Sequence, residues 1–201
     1  MLRHLTCLLA ALLLSGCVDN AEPTESERQL LLTGAAFGYG EDAGRFEKTT
    51  TYWTRTTDLS YDLDSVSGLY LHSTASLTPS ASEALVASYS ALQGAGIALG
   101  MIADDVTEEE LPLTRELGSH AKLILLRNKG KPMGNMFSVS IGKKLFFTVF
   151  TGKHYFTDAA SFEAFIEPQL VALRQHEYDD PLVSWGRGLF ADEGDDEQAK
   201  R

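Results

Sequence analysis

Residues 122–151, KLILLRNKGKPMGNMFSVSIGKKLFFTVFT, hold three apolar runs separated by turn residues. Lys122–Arg127, Asn135–Ile141 and Leu145–Thr151 are of strand length and rich in aliphatic, β-branched and aromatic side chains. Asn128–Gly134 contains Gly130, Pro132 and Gly134 and reads as a turn, and Gly142-Lys143 reads as a tight hairpin. These spacings predict a three-strand antiparallel meander. Leu123, Ile124, Leu125, Phe137, Val139, Phe146, Phe147, Val149 and Phe150 are its candidate core residues.

Upstream, residues 49–64 alternate with period two. Trp53, Leu59, Tyr61 and Leu63 mark one face, and Thr54, Thr56, Asp58, Ser60, Asp62 and Asp64 the other. A turn over 65–68 and a returning strand over 69–77 complete a strand pair. Pro79 and Ser80 then open a helix, with Ser80 and Glu83 at capping-box spacing. Its stripe is Leu85, Tyr89, Leu92, Gly96 and Leu99, and it should end near Ala103. The acidic stretch 104–118, broken by Pro112 and closed by Gly118, reads as a loop with one helical turn. After the meander, Phe162, Phe165, Ile166, Leu170 and Leu173 recur at helical spacing between Asp158 and Gln175, where Pro168 should kink the helix or restart it.

The expected class is α+β: an antiparallel sheet, made of a strand pair plus a three-strand meander, with two helices packed against it. The expected division is a leader over 1–16, an N-terminal tether over 17–48, one domain over 49–176 and an acidic tail over 177–201. Residues 18–30 (VDNAEPTESERQL) are polar and lack an apolar period, which suits a tether. In the tail, the stretch from Trp185 to Phe190 reads as a docking segment or a cover for a sheet edge, and the acidic 191–199 as disordered. The order strand pair, helix, meander, helix over roughly 50–175 is similar to that of the Mog1/PsbP/DcrB-like α/β domains. That resemblance implies a binding or assembly factor without a shared catalytic site.

The first residues carry a different message. Met1–His4 form a short basic start, Leu5–Leu14 an apolar run, and Ser15-Gly16 a small pair before Cys17. This is the three-part pattern of a signal peptide, and the run is far below the ~20 residues that a spanning helix needs. Leu14-Ser15-Gly16-Cys17 resembles the bacterial lipobox. The resemblance implies cleavage between Gly16 and Cys17, a diacylglyceryl group on the Cys17 sulfur and an acyl chain, such as palmitate, on the new amino group. Because Val18 is not aspartate, it further implies sorting to the outer membrane, facing the periplasm. Each buried methylene adds about 0.8 kcal/mol, so several chains on one cysteine make a firm anchor. Cys7 lies inside the leader, which leaves Cys17 as the exported chain's one cysteine.

The chain has 201 residues and a net charge of −11. Arg3 is the leader's only charged side chain, so the exported part is more acidic still. Such a balance argues against a nucleic-acid partner, which needs a basic footprint. It also offers no attraction to anionic headgroups.

No motif in the chain specifies chemistry. Asp58, Ser60, Asp62 and Asp64 imitate the start of a calcium loop, but Leu63 and Leu69 stand where it needs glycine and glutamate. His72, His120, His154 and His176 are too far apart in sequence to form a zinc pair on one helix. Gly94, Gly96 and Gly100 lie inside a helix and suggest close backbone packing rather than a dinucleotide loop. Ala84–Ala103 is an uncharged run just long enough to span a bilayer, diluted by Ser88, Tyr89, Ser90, Gln93 and three glycines; a helix buried under the sheet is the simpler reading. No Gly-x-Ser-x-Gly elbow is present, and Glu108–Glu110 read as a solvated charge run.

No catalytic residue, metal ligand or cofactor is therefore assigned. The expectation is a membrane-anchored, non-catalytic binding or assembly module of the envelope. Its partners would be the membrane, through Cys17, and an envelope protein. Two other readings stay open. One is an enzyme whose His72, His154 and Asp58 converge in one cleft. The other is a carrier of an apolar ligand, marked by an empty apolar cavity between sheet and helix.

Overall fold

The computed structural model describes residues 18–40, 43–65, 68–102 and 105–191. Among them, eight strands form one sheet: β1 (Val18–Ala21), β2 (Arg45–Thr51), β3 (Thr56–Asp64), β4 (Tyr70–Leu77), β5 (Val106–Leu111), β6 (Ser119–Asn128), β7 (Lys131–Ile141) and β8 (Lys144–Thr151). The order is β1-β2-β3-β4-β8-β7-β6-β5, with every neighbouring pair antiparallel. Two four-strand meanders thus meet at β4 and β8. The helices are α1 (Glu25–Arg28), α2 (Ala81–Ile102), α3 (Ala159–Gln175) and α4 (Pro181–Ala191), with a 3-10 turn at Gly34–Phe37.

The class is α+β, but the sheet is larger than a pair plus a meander. The 122–151 meander is present, with longer strands. Its first turn is confined to Lys129-Gly130, both at positive φ (51° and 76°), as a two-residue hairpin requires. Pro132 and Gly134 lie inside β7 instead. A Cβ on Gly134 would sit 2.0 Å from the Phe150 carbonyl oxygen, so only glycine fits there.

The unexpected strands are β1, β2 and β5. All three are at or next to an edge of the sheet, where few side chains are buried and alternation fades. The 104–118 stretch is partly β5: Glu109 pairs with Arg127 at 2.7 Å and Glu110 with Lys122 at 3.0 Å. A charged edge strand of this kind resists pairing with other chains. Trp53 also departs from its expected face. It sits in the β2–β3 turn, 86% exposed, while Leu59, Tyr61 and Leu63 are buried as the pattern predicts.

Successive residues of each strand feed opposite faces. One face carries Leu59, Tyr61, Leu71, Leu123, Phe137, Phe146 and Phe150, and packs against Phe162, Ile166, Leu170 and Leu173 of α3. Pro168 lies inside α3, which runs as one helix rather than restarting. The other face carries Ile124, Leu126, Met136, Leu145, Phe147 and Val149 and is covered by α2. Ser80 caps that helix by accepting the Glu83 N–H at 3.2 Å.

The stripe of α2 that meets the sheet is Ala84, Ala87, Ser88, Ala91, Leu92, Ala95 and Leu99. The expected stripe was turned by part of a turn, and Tyr89 is half exposed. Gly94 has no neighbour within 4 Å of where a Cβ would sit, so close backbone packing does not explain it. No helix among the described residues is long and apolar enough to cross a membrane.

Two expected boundaries are corrected. Residues 18–40 are not a free tether, because Leu30, Leu31 and Leu32 are buried in the α3-side core and β1 extends the sheet. Residues 177–191 are not loose tail, because Tyr178 packs against the core and α4 follows. The acidic residues 192–199 lie outside the described residues.

Candidate functional site

The N-terminal segment is held by capping and by two polar atoms of the sheet. Thr24 and Glu27 form a capping box around α1: the Thr24 N–H donates to Glu27 Oε2 at 2.8 Å, and the Glu27 N–H to Thr24 Oγ at 3.3 Å. The chain then drops into the core through Leu30–Leu32. Ser73 Oγ accepts the Leu32 N–H at 3.0 Å, and the Tyr61 hydroxyl accepts the Gly34 N–H at 3.1 Å. These bonds explain two of the polar groups buried in this layer. Each satisfies a buried backbone donor that would otherwise cost about 1–3 kcal/mol.

The segment does not close flat on its neighbours. Between it, β2 and α3 lies an open groove of about 1190 Å³. Glu22, Glu25, Arg28 and Gln29 form one wall, Arg45, Phe46, Glu47 and Lys48 the floor, and Pro168, Gln169 and Ala172 the far side. Arg28 lies over the Phe46 ring at 4.6 Å and donates to the Pro23 carbonyl at 3.2 Å. Its three acids and three bases balance, whereas the whole chain is strongly acidic. Gln169 Oε1 is buried at this wall without a hydrogen-bond partner among the described residues. Such an oxygen gains from a ligand N–H or O–H donor, because an unmade buried hydrogen bond is costly.

A second cavity of about 430 Å³ adjoins the first across Lys48 and Ala21. It is bounded by Glu27, Thr50, Tyr52 and Thr57 on one side and by His176, Pro181, Ser184 and Trp185 on the other. Lys48 Nζ donates to Glu27 Oε1 at 2.7 Å in the partition between the cavities. Burial pushes the Glu27 carboxyl up, but the bonds from Lys48 and Thr24 outweigh it and hold it below its ordinary value. Burial lowers His176, with Lys144 and Lys48 adding to it and Glu27 opposing. Glu27 has both oxygens bonded and stays ionised, so it is a structural carboxylate rather than a proton acceptor.

The residues expected to converge do not. His72 bonds Asp62 at 2.6 Å on the sheet face that α2 leaves open. Asp58 shares that face, but its partner across β4 is Ser76, four residues along from His72. His154 lies on the α3 side, edge-on to Phe37 at 5.2 Å. The three are thus split between opposite faces and do not line one cleft. Asp58, Ser60, Asp62 and Asp64 line one extended strand, and no group of three His, Cys, Asp or Glu among the described residues could hold a metal ion. His120 meets Tyr89 at 3.3 Å on the surface. The two cavities described above are open and lined mostly by polar side chains. Gly16 and Cys17 lie outside the described residues.

No protein-family model, curated protein or solved structure matches this chain. The groove therefore rests on its own geometry. The sequence does hold signals for it: Thr24-x-x-Glu27 has capping-box spacing, and three consecutive leucines at 30–32 mark burial. Gln169 has no such signal, since nothing in its neighbourhood distinguishes it from any exposed helical glutamine.

Proposed function

We propose that the protein is a lipid-anchored lipoprotein of the bacterial envelope whose domain binds a polar ligand or a partner segment in the groove beside α1, and does no chemistry on it. The leader and the Leu14-Ser15-Gly16-Cys17 lipobox support the anchor. The observation that carries the binding reading is Gln169 Oε1, buried with no hydrogen-bond partner among the described residues, in a charge-balanced groove of about 1190 Å³. A groove of that size accepts a short peptide or a small polar molecule, and its paired charges favour a zwitterionic occupant over a strongly charged one. Glu22 pairs with Arg28, Glu47 with Arg45 and Lys48 with Glu27, so these groups are engaged in ion pairs rather than poised as nucleophile or base. Anchoring raises the local concentration of envelope partners, so modest affinity suffices.

The test is a photo-crosslinking side chain placed at position 169 in the native envelope, compared in the intact protein and a Cys17→Ala variant. The proposal expects a discrete adduct that weakens when the anchor is removed, and membrane fractionation that shifts to the soluble fraction in the variant. A membrane-bound Cys17→Ala protein would contradict the anchor. Turnover of an envelope substrate by the purified domain, abolished by a substitution in the groove, would contradict the non-catalytic reading.

A further inference from the structure

Val18 is the first residue of β1 and sits opposite Thr51, the last residue of β2. Val18 therefore lies at the end of the sheet where the β2–β3 hairpin, Tyr52–Arg55, protrudes. Trp53, in that hairpin, is 86% exposed. The start of α4 is fastened to the same turn. The Tyr178 hydroxyl donates to the Arg55 carbonyl at 2.6 Å, and the Arg55 guanidinium pairs with Asp180. α4 then presents Leu182, Val183 and Trp185, each about half exposed, and Trp185 lines a cavity that also touches Asp19 and Tyr52. Trp53 and Trp185 are the chain's only tryptophans. Both therefore stand exposed at the end of the sheet that holds Val18.

We infer that this end of the molecule, formed by Trp53, Val18 and the Leu182–Trp185 turn of α4, is a membrane-interface surface that seats in the headgroup layer of the bilayer. The inference rests on the lipoprotein reading above. With acyl chains on Cys17, Val18 lies one Cα step, about 3.8 Å, from the anchored residue. No spacer lifts the sheet away, and the residues around Val18 must lie within the ~5–8 Å interfacial layer or against it. Indole rings favour that layer because they combine an apolar body with a polar N–H. The adjacent charges are mixed: Asp19, Glu177, Asp179 and Asp180 against Arg55 and Lys143. The occupant is thus a zwitterionic lipid surface held by burial, not an anionic one held by charge. The strands then stand up from the membrane, and the groove beside α1 opens alongside the bilayer.

Tryptophan fluorescence reads this surface and nothing else. The full-length protein is purified from its membrane, the mass of its Cys17 peptide is recorded, and it is reconstituted in phosphatidylcholine vesicles with brominated acyl chains. The expected result is an acyl-bearing Cys17 with emission shifted to the blue and roughly halved by the brominated lipid. Trp53→Phe and Trp185→Phe variants should each retain a lipid-quenched signal, and Cys17→Ala should lose most of it. Acyl chains on Cys17 with emission untouched by bromine would overturn the interface surface and leave the anchor standing. Emission shielded from both bromine and aqueous acrylamide would do the same, since it points to a second copy or a protein partner over this end. A bare Cys17 would overturn the anchor, and the interface surface with it.

Discussion

α3 meets the sheet through Phe162, Ile166, Leu170 and Leu173, all fully buried, whereas α2 meets it mainly through Ala84, Ala87, Ser88, Ala91 and Ala95, with only Leu92 and Leu99 as larger, half-buried side chains. The difference originates in β7, which turns Phe137 and Val139 to one helix and Met136, Ser138 and Ser140 to the other. On the α3 side the Phe137 and Phe162 rings pack at 5.1 Å. On the α2 side Ser88 and Ser138 share a buried hydroxyl bond at 2.6 Å, and Ser140 donates to the Ala84 carbonyl. Small residues bring a helix close but bury little area, and the hydrophobic contribution scales with area. The outer faces differ as well. α3 carries Glu167 and Arg174 in an ion pair, while α2 exposes Val86, Tyr89 and Ile97 and carries no charge from Ala84 to Leu99. The fold is therefore held from the α3 side, to which the N-terminal segment also belongs.

That asymmetry breaks most readily at Phe162. Phe162→Ala should cost about 3–5 kcal/mol in chemical denaturation, because it opens a cavity among rigid rings. Leu92→Ala on α2, starting half exposed, should cost under about 2 kcal/mol. Equal losses would mean that the two faces share the load.

Glu163 sharpens the contrast. It is buried, accepts the Thr114 N–H and hydroxyl at 2.6 Å each, and meets Arg115 Nε at 3.4 Å, so it clamps the β5–β6 connection to α3. Glu163→Ala should cost about 2–3 kcal/mol, as expected for lost hydrogen bonds to a charged group. The same clamp sets a pH dependence. Burial pushes Glu163 up, but the Thr114 bonds and Arg115 outweigh it and hold the carboxyl below its ordinary 4.5, as Glu27 is also held. Their stabilisation is full above that value and is lost as pH falls through the lower folded values. His176 is held below its ordinary 6.5, so the unfolded chain takes that proton first. Stability should therefore decline in two steps, from near neutrality and again below about pH 4.5. Denaturant midpoints across pH check this, and Glu163→Gln should flatten only the lower step.

The smaller effects come last. Ser88→Ala should cost about 1 kcal/mol, one buried hydrogen bond. Lys129, at φ 51° in the β6–β7 turn, pays for a conformation that asparagine tolerates. Lys129→Asn should raise the melting midpoint, with a gain below about 1 kcal/mol.

The meander and α3 were legible because fully buried elements write their period into the sequence. The β3 alternation was legible for the same reason from Leu59 onward. Edge strands are not so constrained: Val106–Leu111 reads VTEEEL because its middle residues Thr107–Glu110 are all exposed, and it pairs through backbone bonds that leave no period in the sequence. The polar run 18–30 misled for a related reason. Its order comes from one capping box and from Ser73 and Tyr61, contributed by strands far along the chain. The groove inherits that invisibility, since Gln169 becomes distinctive only when α1 and β2 are folded beside it.

Residues 18–34 are part of the folded domain, so that the proposed anchor on Cys17 would hold the sheet itself against the membrane. Hydrogen exchange of the full-length protein tests it at two amides. The Leu32 and Gly34 N–H groups, bonded to Ser73 and Tyr61, should exchange as slowly as the core strands β4 and β8. Exchange at the rate of an unstructured chain at those two positions would restore a flexible tether and contradict the account.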